Sequence, residues 1–340
     1  MSDGYIAFAQ ARARQASSLA TAITRLTGPV THFAEQGRLS GPGPIFVGIG
    51  ASLAATCAPV WCLRSRGIHA WRLSAGDHPL PFPISSHPIF GVSQSGRSAE
   101  TLAVLETVQP ERRYAVVNVD PSPIAEVTGE VIGLGNIPDS YASTIGYTAT
   151  VAALGLLADA WQGGRIDPGW ARLGALVAAT EQDLAERVRA LAPLFGETTF
   201  VDFAGAGPAV GSAEAGALLF REVARIPSTG MSTRQYLHGS MESAGGGVHV
   251  LFGGERELAI ARTLACAGHS TILVTSDPVD ETPLIHPVPV PALPVAQRAI
   301  IEILVIQILV EAVAEFRGVA VEEFVFHNAD IKVASESPGR

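Results

Sequence analysis

The sequence predicts an α/β protein in which one parallel-sheet unit occurs twice, and two observations predict it. Between Gly41-Pro42-Gly43-Pro44 and Ala160, short β-branched runs alternate with helical stretches, the pattern of a parallel sheet covered by helices on both faces. The order then recurs. Phe46-Val47 ahead of Gly48-Ile49-Gly50 is matched by Phe200-Val201 ahead of Gly205-Ala206-Gly207, and Val116-Val117-Asn118-Val119-Asp120 by Leu273-Val274-Thr275-Ser276-Asp277, at almost the same separation. Two matching offsets indicate a duplicated domain. A chain of 340 residues also exceeds what one hydrophobic core usually organises, so two units of about 150 residues are expected.

Taken in order, residues 5–27 are Ala-rich and read as one helix, which Gly28-Pro29 is expected to end. Strands are expected near 45–49, 68–73, 88–92, 114–119 and 131–134, with helices near 52–66, 98–109 and 141–161. A helical segment over 170–191 joins the halves, and Pro193 marks the second start. The Pro-rich stretch 278–294 keeps enough Leu, Ile and Val for a last short strand between loops. The most apolar run, 299–316, contains Glu302, Gln307, Glu311 and Glu315, which a bilayer core penalises. It reads as a helix buried between layers. The domains are accordingly set at 1–43 (helix and linker), 44–185, 186–317 and 318–340 (tail).

Composition narrows the function. Only 16% of residues are charged against about 25% in ordinary domains, which suggests much buried surface and an oligomer. A net charge of -9 argues against a nucleic-acid backbone binder, whose Lys and Arg gather into a basic face. Cys57, Cys62 and Cys266 lack metal-ligand spacing, so no metal is expected and a reducing, cytoplasmic compartment is. Cys57 and Cys62 read as core residues. The N-terminus lacks the basic start and apolar stretch of a signal peptide.

Arginine supplies nearly all of the basic charge, and Lys332 is the single lysine, where average usage gives on the order of twenty. Only Lys offers a primary amine that can deprotonate and form an imine with a carbonyl. On the count alone, a base-composition bias that left one lysine in a solvated tail is the simpler explanation. Gly48-Ile49-Gly50-Ala51-Ser52 follows a strand and opens a helix, where ligands sit in such sheets. It lacks the third glycine and the later acidic residue of a dinucleotide site, so no nicotinamide cofactor is expected. More specific is Gly91-Val92-Ser93-Gln94-Ser95-Gly96-Arg97-Ser98-Ala99-Glu100-Thr101. Its hydroxyls and the amides around Gly96 can satisfy a phosphate without metal or lysine, although Ser98 could simply cap the helix. Glu222 lies among Leu218, Leu219, Val223 and Ile226. Burial there would raise its pKa toward that of a working base, while Arg225 three positions on could equally make it an ordinary ion pair. His238 lies in a Gly- and Ser-rich loop, where structural histidines are common.

Ser93-Gln94-Ser95-Gly96 with Glu100-Thr101, after Gly48-x-Gly50-x-Ser52, resembles the SIS (sugar isomerase) phosphosugar-binding domain. The duplication makes the chain similar, over residues 44 to 335, to the isomerase half of glucosamine-6-phosphate synthase and its stand-alone relatives, the isomerases, deaminases and deglycases. Ala142-Ser143-Thr144, Ala217-Leu218-Leu219-Phe220-Arg221-Glu222 and His238-Gly239 fit the same pattern. The resemblance implies two tandem three-layer αβα domains, each with a five-stranded parallel sheet of flavodoxin-like type. It implies that Ser93, Gln94, Ser95 and Ser98 hold the phosphate and that Ser52 and Ser143 contact the sugar. Glu222 would then move a proton between C1 and C2, and His238 would assist ring opening from a partner subunit. Lys332 would form an imine at the ketose C2. A homodimer with shared sites and no cofactor follows from the same likeness.

The chain departs from the family at Ala51, Leu219 and Ser240 and in the tail Ala329-Asp330-Ile331-Lys332-Val333, and its second residue is Ser2. These departures, with only a short segment ahead of residue 44, point away from glutamine-dependent amination. The expected activity is an aldose/ketose-type rearrangement of an amino-sugar or fructosamine phosphate, by deamination or deglycation. The alternatives are a plain enediol isomerase and a non-catalytic phosphosugar-binding regulator.

Overall fold

The computed structural model describes residues 4–322, 324–326, 328 and 330–334. Ser2 and Ala329 lie outside the described residues. The chain runs α1 (Phe8–Glu35), β1 (Ile45–Gly48), α2 (Ala51–Ala55), α3 (Cys57–Ser65), β2 (Trp71–Ser74), β3 (Ile89–Ser93), α4 (Ala99–Thr107), β4 (Arg113–Val117), α5 (Pro123–Glu126), β5 (Glu130–Gly133) and α6 (Ile145–Ala160). After α7 (Leu173–Arg189) the series continues with β6 (Val201–Gly205), α8 (Val210–Glu222), β7 (Ser228–Ser232), α9 (Thr233–Leu237), β8 (Val248–Phe252), α10 (Glu255–Cys266), β9 (Thr271–Thr275), β10 (Ile285–Pro289) and α11 (Val295–Phe316).

Two parallel five-stranded sheets result, ordered β2-β1-β3-β4-β5 and β7-β6-β8-β9-β10. Each sheet has the same sequence of crossovers, as the internal repeat requires. The strand order reverses between β1 and β3 and again between β6 and β8, and a ligand crevice opens at the carboxyl ends of strands at such switch points. The register is direct, Ile45 opposite both Trp71 and Ile89, and Val201 opposite both Ser228 and Val248. β10 pairs with β9, so the proline-rich stretch holds the short strand expected of it.

Helices α6 and α11 form the interior. α6 buries every residue but Asp159, and α11 packs against α3, α6, α7 and α8. Its Glu302 and Gln307 are buried; Glu302 is partnered by Ser212 and Arg298, while Gln307 donates through Nε2 to the Thr144 carbonyl and its Oε1 has no partner among the described residues. No helix among the described residues is long and apolar enough to cross a membrane. Buried Arg12 ties α1 to the same layer through Glu181 and Glu311.

Several expected boundaries move. α1 does not end at Gly28-Pro29 but continues to Glu35, with Pro29 inside it. Gly28 and Pro29 are exposed, so the Arg25 carbonyl that loses its donor lies on the solvated face. Val30 and Phe33 are buried one turn later, and their packing outweighs the local signal. The helix expected over 52–66 is split at Thr56, whose hydroxyl donates to the Leu53 carbonyl at 2.6 Å. The second strand begins at Trp71, three residues after Ile68.

Candidate functional site

The hydroxyl-rich turn stands at the switch point of the first sheet. Ser93 ends β3, buried, with Oγ 3.1 Å from Ser98 Oγ. Gly96 turns the chain with φ +61°. A Cβ there would meet Ser122 Oγ at 2.0 Å, so the position needs glycine for both conformation and space. The Gln94 carbonyl accepts from Asn118 N and Val119 N, both at 3.2 Å, which fixes the turn to the end of β4. Ser98 takes the N-cap position of α4 but makes no side-chain cap bond. Its hydroxyl faces Ser93 instead. The Glu100 and Thr101 amides find no backbone acceptor among the described residues, and an anion at this helix start would answer them. Gln94 Oε1, Thr101 Oγ1 and Ser122 Oγ are buried without a partner among the described residues, so the turn holds polar groups that the protein itself does not satisfy.

The chain end reaches this turn. Lys332 bridges Ser98 in antiparallel fashion, Val333 N donates to the Arg97 carbonyl at 3.0 Å, and Ala99 N donates to the Ile331 carbonyl at 3.2 Å. Arg97 Nε donates to the Val333 carbonyl at 2.7 Å. Lys332 is exposed, and its ammonium acts on Glu222, the last residue of α8. Burial pushes the Glu222 carboxyl up to about 7, partly offset by the Lys332 cation. The Glu222 carboxyl is thus within electrostatic reach of the amine whose backbone pairs with the hydroxyl turn.

Close packing of α8 on the first unit puts Glu222 there. A Cβ at Gly211 would stand 2.6 Å from the Ala54 carbonyl, so only glycine lets α8 lie this close to α2. Leu218 approaches Gly50, and Glu222 follows one turn later on the same helix face. Gly50 has φ +57° and admits the sharp bend into α2, where Ser52 is half-buried. Arg72 of β2 and Glu214 of α8 add a bidentate pair at 2.6 and 2.7 Å. Arg225 does not pair with Glu222. It lies past the helix with φ +53°, and its Nη2 donates to the Ala320 carbonyl at 3.1 Å.

Ser143 has a different neighbour from the one its motif suggests. Its hydroxyl donates to Asp139 Oδ2 at 2.8 Å. The buried Asp139 carboxylate also accepts from Thr144 Oγ1 at 2.7 Å, Ile145 N at 3.0 Å and Gly146 N at 2.8 Å. An internal anion therefore fills the start of α6, and Ser143 keeps only acceptor capacity toward a ligand. Gln94 lies over Gly146, where a Cβ would come within 2.1 Å of its Nε2. Asp139 is the residue sequence reasoning missed, although an acid just ahead of Ser143-Thr144 and an apolar helix is an N-terminal signal. His238 is exposed after α9, and its ring makes no hydrogen bond to the described residues. Among the described residues no group of His, Cys, Asp and Glu could hold a metal ion.

No protein-family model matches the sequence, and no curated protein matches it. Solved structures share its fold. The C-terminal domain of glucosamine-fructose-6-phosphate aminotransferase from Francisella tularensis superposes with a TM-score of 0.81 at 17% identity, over 95% of this chain and 99% of that one. Tagatose-6-phosphate ketose/aldose isomerase from Escherichia coli gives 0.76 at 15% identity, over 96% and 99%. Glucosamine-6-phosphate deaminase from Thermotoga maritima gives 0.71 at 17%, over 92% and 97%.

Proposed function

We propose that the chain is a sugar-phosphate isomerase-type enzyme of the SIS family, acting on an amino-sugar phosphate or a fructosamine phosphate. The observation that carries this reading is the convergence, at one switch point, of the Ser93–Ser98 turn, the Glu222 carboxyl with its pKa near 7, and the single lysine. The fold shared with an isomerase, a deaminase and an aminotransferase domain supports it.

Ser93, Gln94, Ser95 and Ser98 hold the phosphate against the start of α4, and Ser52 and Ser143 contact the sugar hydroxyls. With the open chain so placed, Glu222 takes a proton from one of C1 and C2 and returns it to the other. On a fructosamine phosphate this moves the double bond to a C1 imine, and water then cleaves it to aldose phosphate and free amine. A carboxyl near 7 is both protonated and ionised at neutral pH, as a two-way shuttle requires. On an amino-sugar phosphate the same proton shift leaves an imine at C2. Lys332 attacks that carbon, ammonia leaves, and water then cleaves the Lys332 imine to ketose phosphate and free lysine. The neighbouring Glu222 carboxylate accepts the proton that the ammonium must lose. His238 assists ring opening across a cytoplasmic homodimer, which its exposure and the three free thiols fit. Domain boundaries near residues 44, 186 and 318 place one sheet in each half.

Borohydride trapping tests the reading. With fructose 6-phosphate or a fructosamine 6-phosphate, reduction is expected to leave one adduct on Lys332, absent with the unphosphorylated sugar and in Ser95→Ala. Ketose phosphate binding without any adduct would remove the imine and leave the enediol isomerase. Loss of all effects in Ser95→Ala but none in Glu222→Gln would mark a phosphosugar-binding regulator.

A further inference from the structure

The second sheet repeats the strand order of the first, so the carboxyl ends of β6, β8 and β9 stand where β1, β3 and β4 end in the first unit. A cavity of about 270 Å³ opens at this second switch point, lined by Gly254, Glu257, Ser276, Asp277, Arg298 and Glu302. We infer that it is a separate binding site for an unphosphorylated amino sugar.

The lining inverts the chemistry of the first unit. The turn after β8 is Gly253-Gly254, without hydroxyls. The buried Glu257 carboxylate accepts from Gly254 N at 3.0 Å and from Thr233 Oγ1 at 2.7 Å, so an internal anion already occupies the start of α10. Arg298 is committed to Glu302 through Nε at 2.8 Å and to Ser276 Oγ through Nη1 at 3.3 Å. Burial raises the Glu302 pKa toward the neutral form, which leaves the Glu257 and Asp277 carboxylates facing one guanidinium that Glu302 and Ser276 already engage, a field that repels a phosphate dianion and attracts an ammonium. Asp277 is the free acceptor. It is exposed, its carboxylate accepts no hydrogen bond from the described residues, and it lies over Gly254, where a Cβ would come within 2.6 Å. The Ser276 hydroxyl still has a proton to give to a sugar oxygen. Leu293 and Val295 supply an apolar wall suited to the C–H face of a ring. The volume lies below the ~300 Å³ at which pockets for drug-sized ligands begin, and fits a monosaccharide.

Calorimetric titration of the full chain with glucosamine, glucose and glucosamine 6-phosphate tests the site. Glucosamine is expected to bind wild type and Ser95→Ala alike. It should bind Asp277→Asn at least about tenfold more weakly, as loss of a charge-assisted hydrogen bond implies, and glucose should bind more weakly than glucosamine. Glucosamine binding that is absent from wild type, equal to that of glucose, or lost in Ser95→Ala but intact in Asp277→Asn would overturn the inference. Failure of the phosphosugar reading is seen separately, as glucosamine 6-phosphate binding that Ser95→Ala leaves unchanged.

Discussion

Replacing Glu222 by Gln separates the cost of burying this carboxylate from its use. Burial raises its pKa from the ordinary 4.5 to about 7. At ~1.4 kcal/mol per pH unit this amounts to about 3 kcal/mol. The folded protein holds this proton more tightly than the unfolded chain, so its contribution to stability is fully present below pH 4.5 and is lost as pH rises through 7. The amide that replaces the carboxyl carries no charge at any pH. Wild type and Glu222→Gln should therefore have similar stability at pH 4.5, and the variant should be more stable by up to about 3 kcal/mol at pH 8. Denaturant titration at the two pH values measures this. Turnover should move the other way, falling by about 10²–10⁴ in the variant, with wild-type activity rising between pH 6 and 8. A stability difference that does not change with pH would refute the burial argument, whatever happened to activity.

Removing the Lys332 cation takes away a charge that lowers the Glu222 pKa, so Lys332→Met should move the acid limb of any residual pH-rate profile upward. Asp139→Ala deletes the carboxylate that caps α6 and should destabilise the fold by at least about 2 kcal/mol, read as a lowered Tm. Pro29→Ala restores a donor inside an exposed turn of α1 and should stabilise by about 1–3 kcal/mol, read the same way.

The central strands were legible because they are short apolar runs buried on both faces, as in Ile45–Gly48 and Thr271–Thr275, and the repeat disclosed the second sheet. Signals confined to a few residues were weaker guides. Pro29 reads as a stop, yet the burial of Val30 and Phe33, a tertiary fact, carries the helix past it. The break at Thr56 had a local signal in Pro59, which sits in the first turn of α3, where proline is tolerated. In the site, the Ser93–Ser98 turn was legible from its own residues, since hydroxyls after a strand and before a helix have a local meaning. The pairing of Lys332 with Ser98 joins distant parts of the chain, and no local pattern encodes it. The partner of Ser143 was open to view in Asp139 and was missed.

The burial of α11 bears on how the molecule is made. α6 is buried on all sides, and part of its cover, like that of α3, comes from α11. A ribosome must translate nearly the whole chain before that cover exists. Until then the first half displays a wide oily face to the cell, so synthesis calls for chaperone shelter. A gene fragment ending between the two sheets should yield insoluble product, however complete its own five strands are.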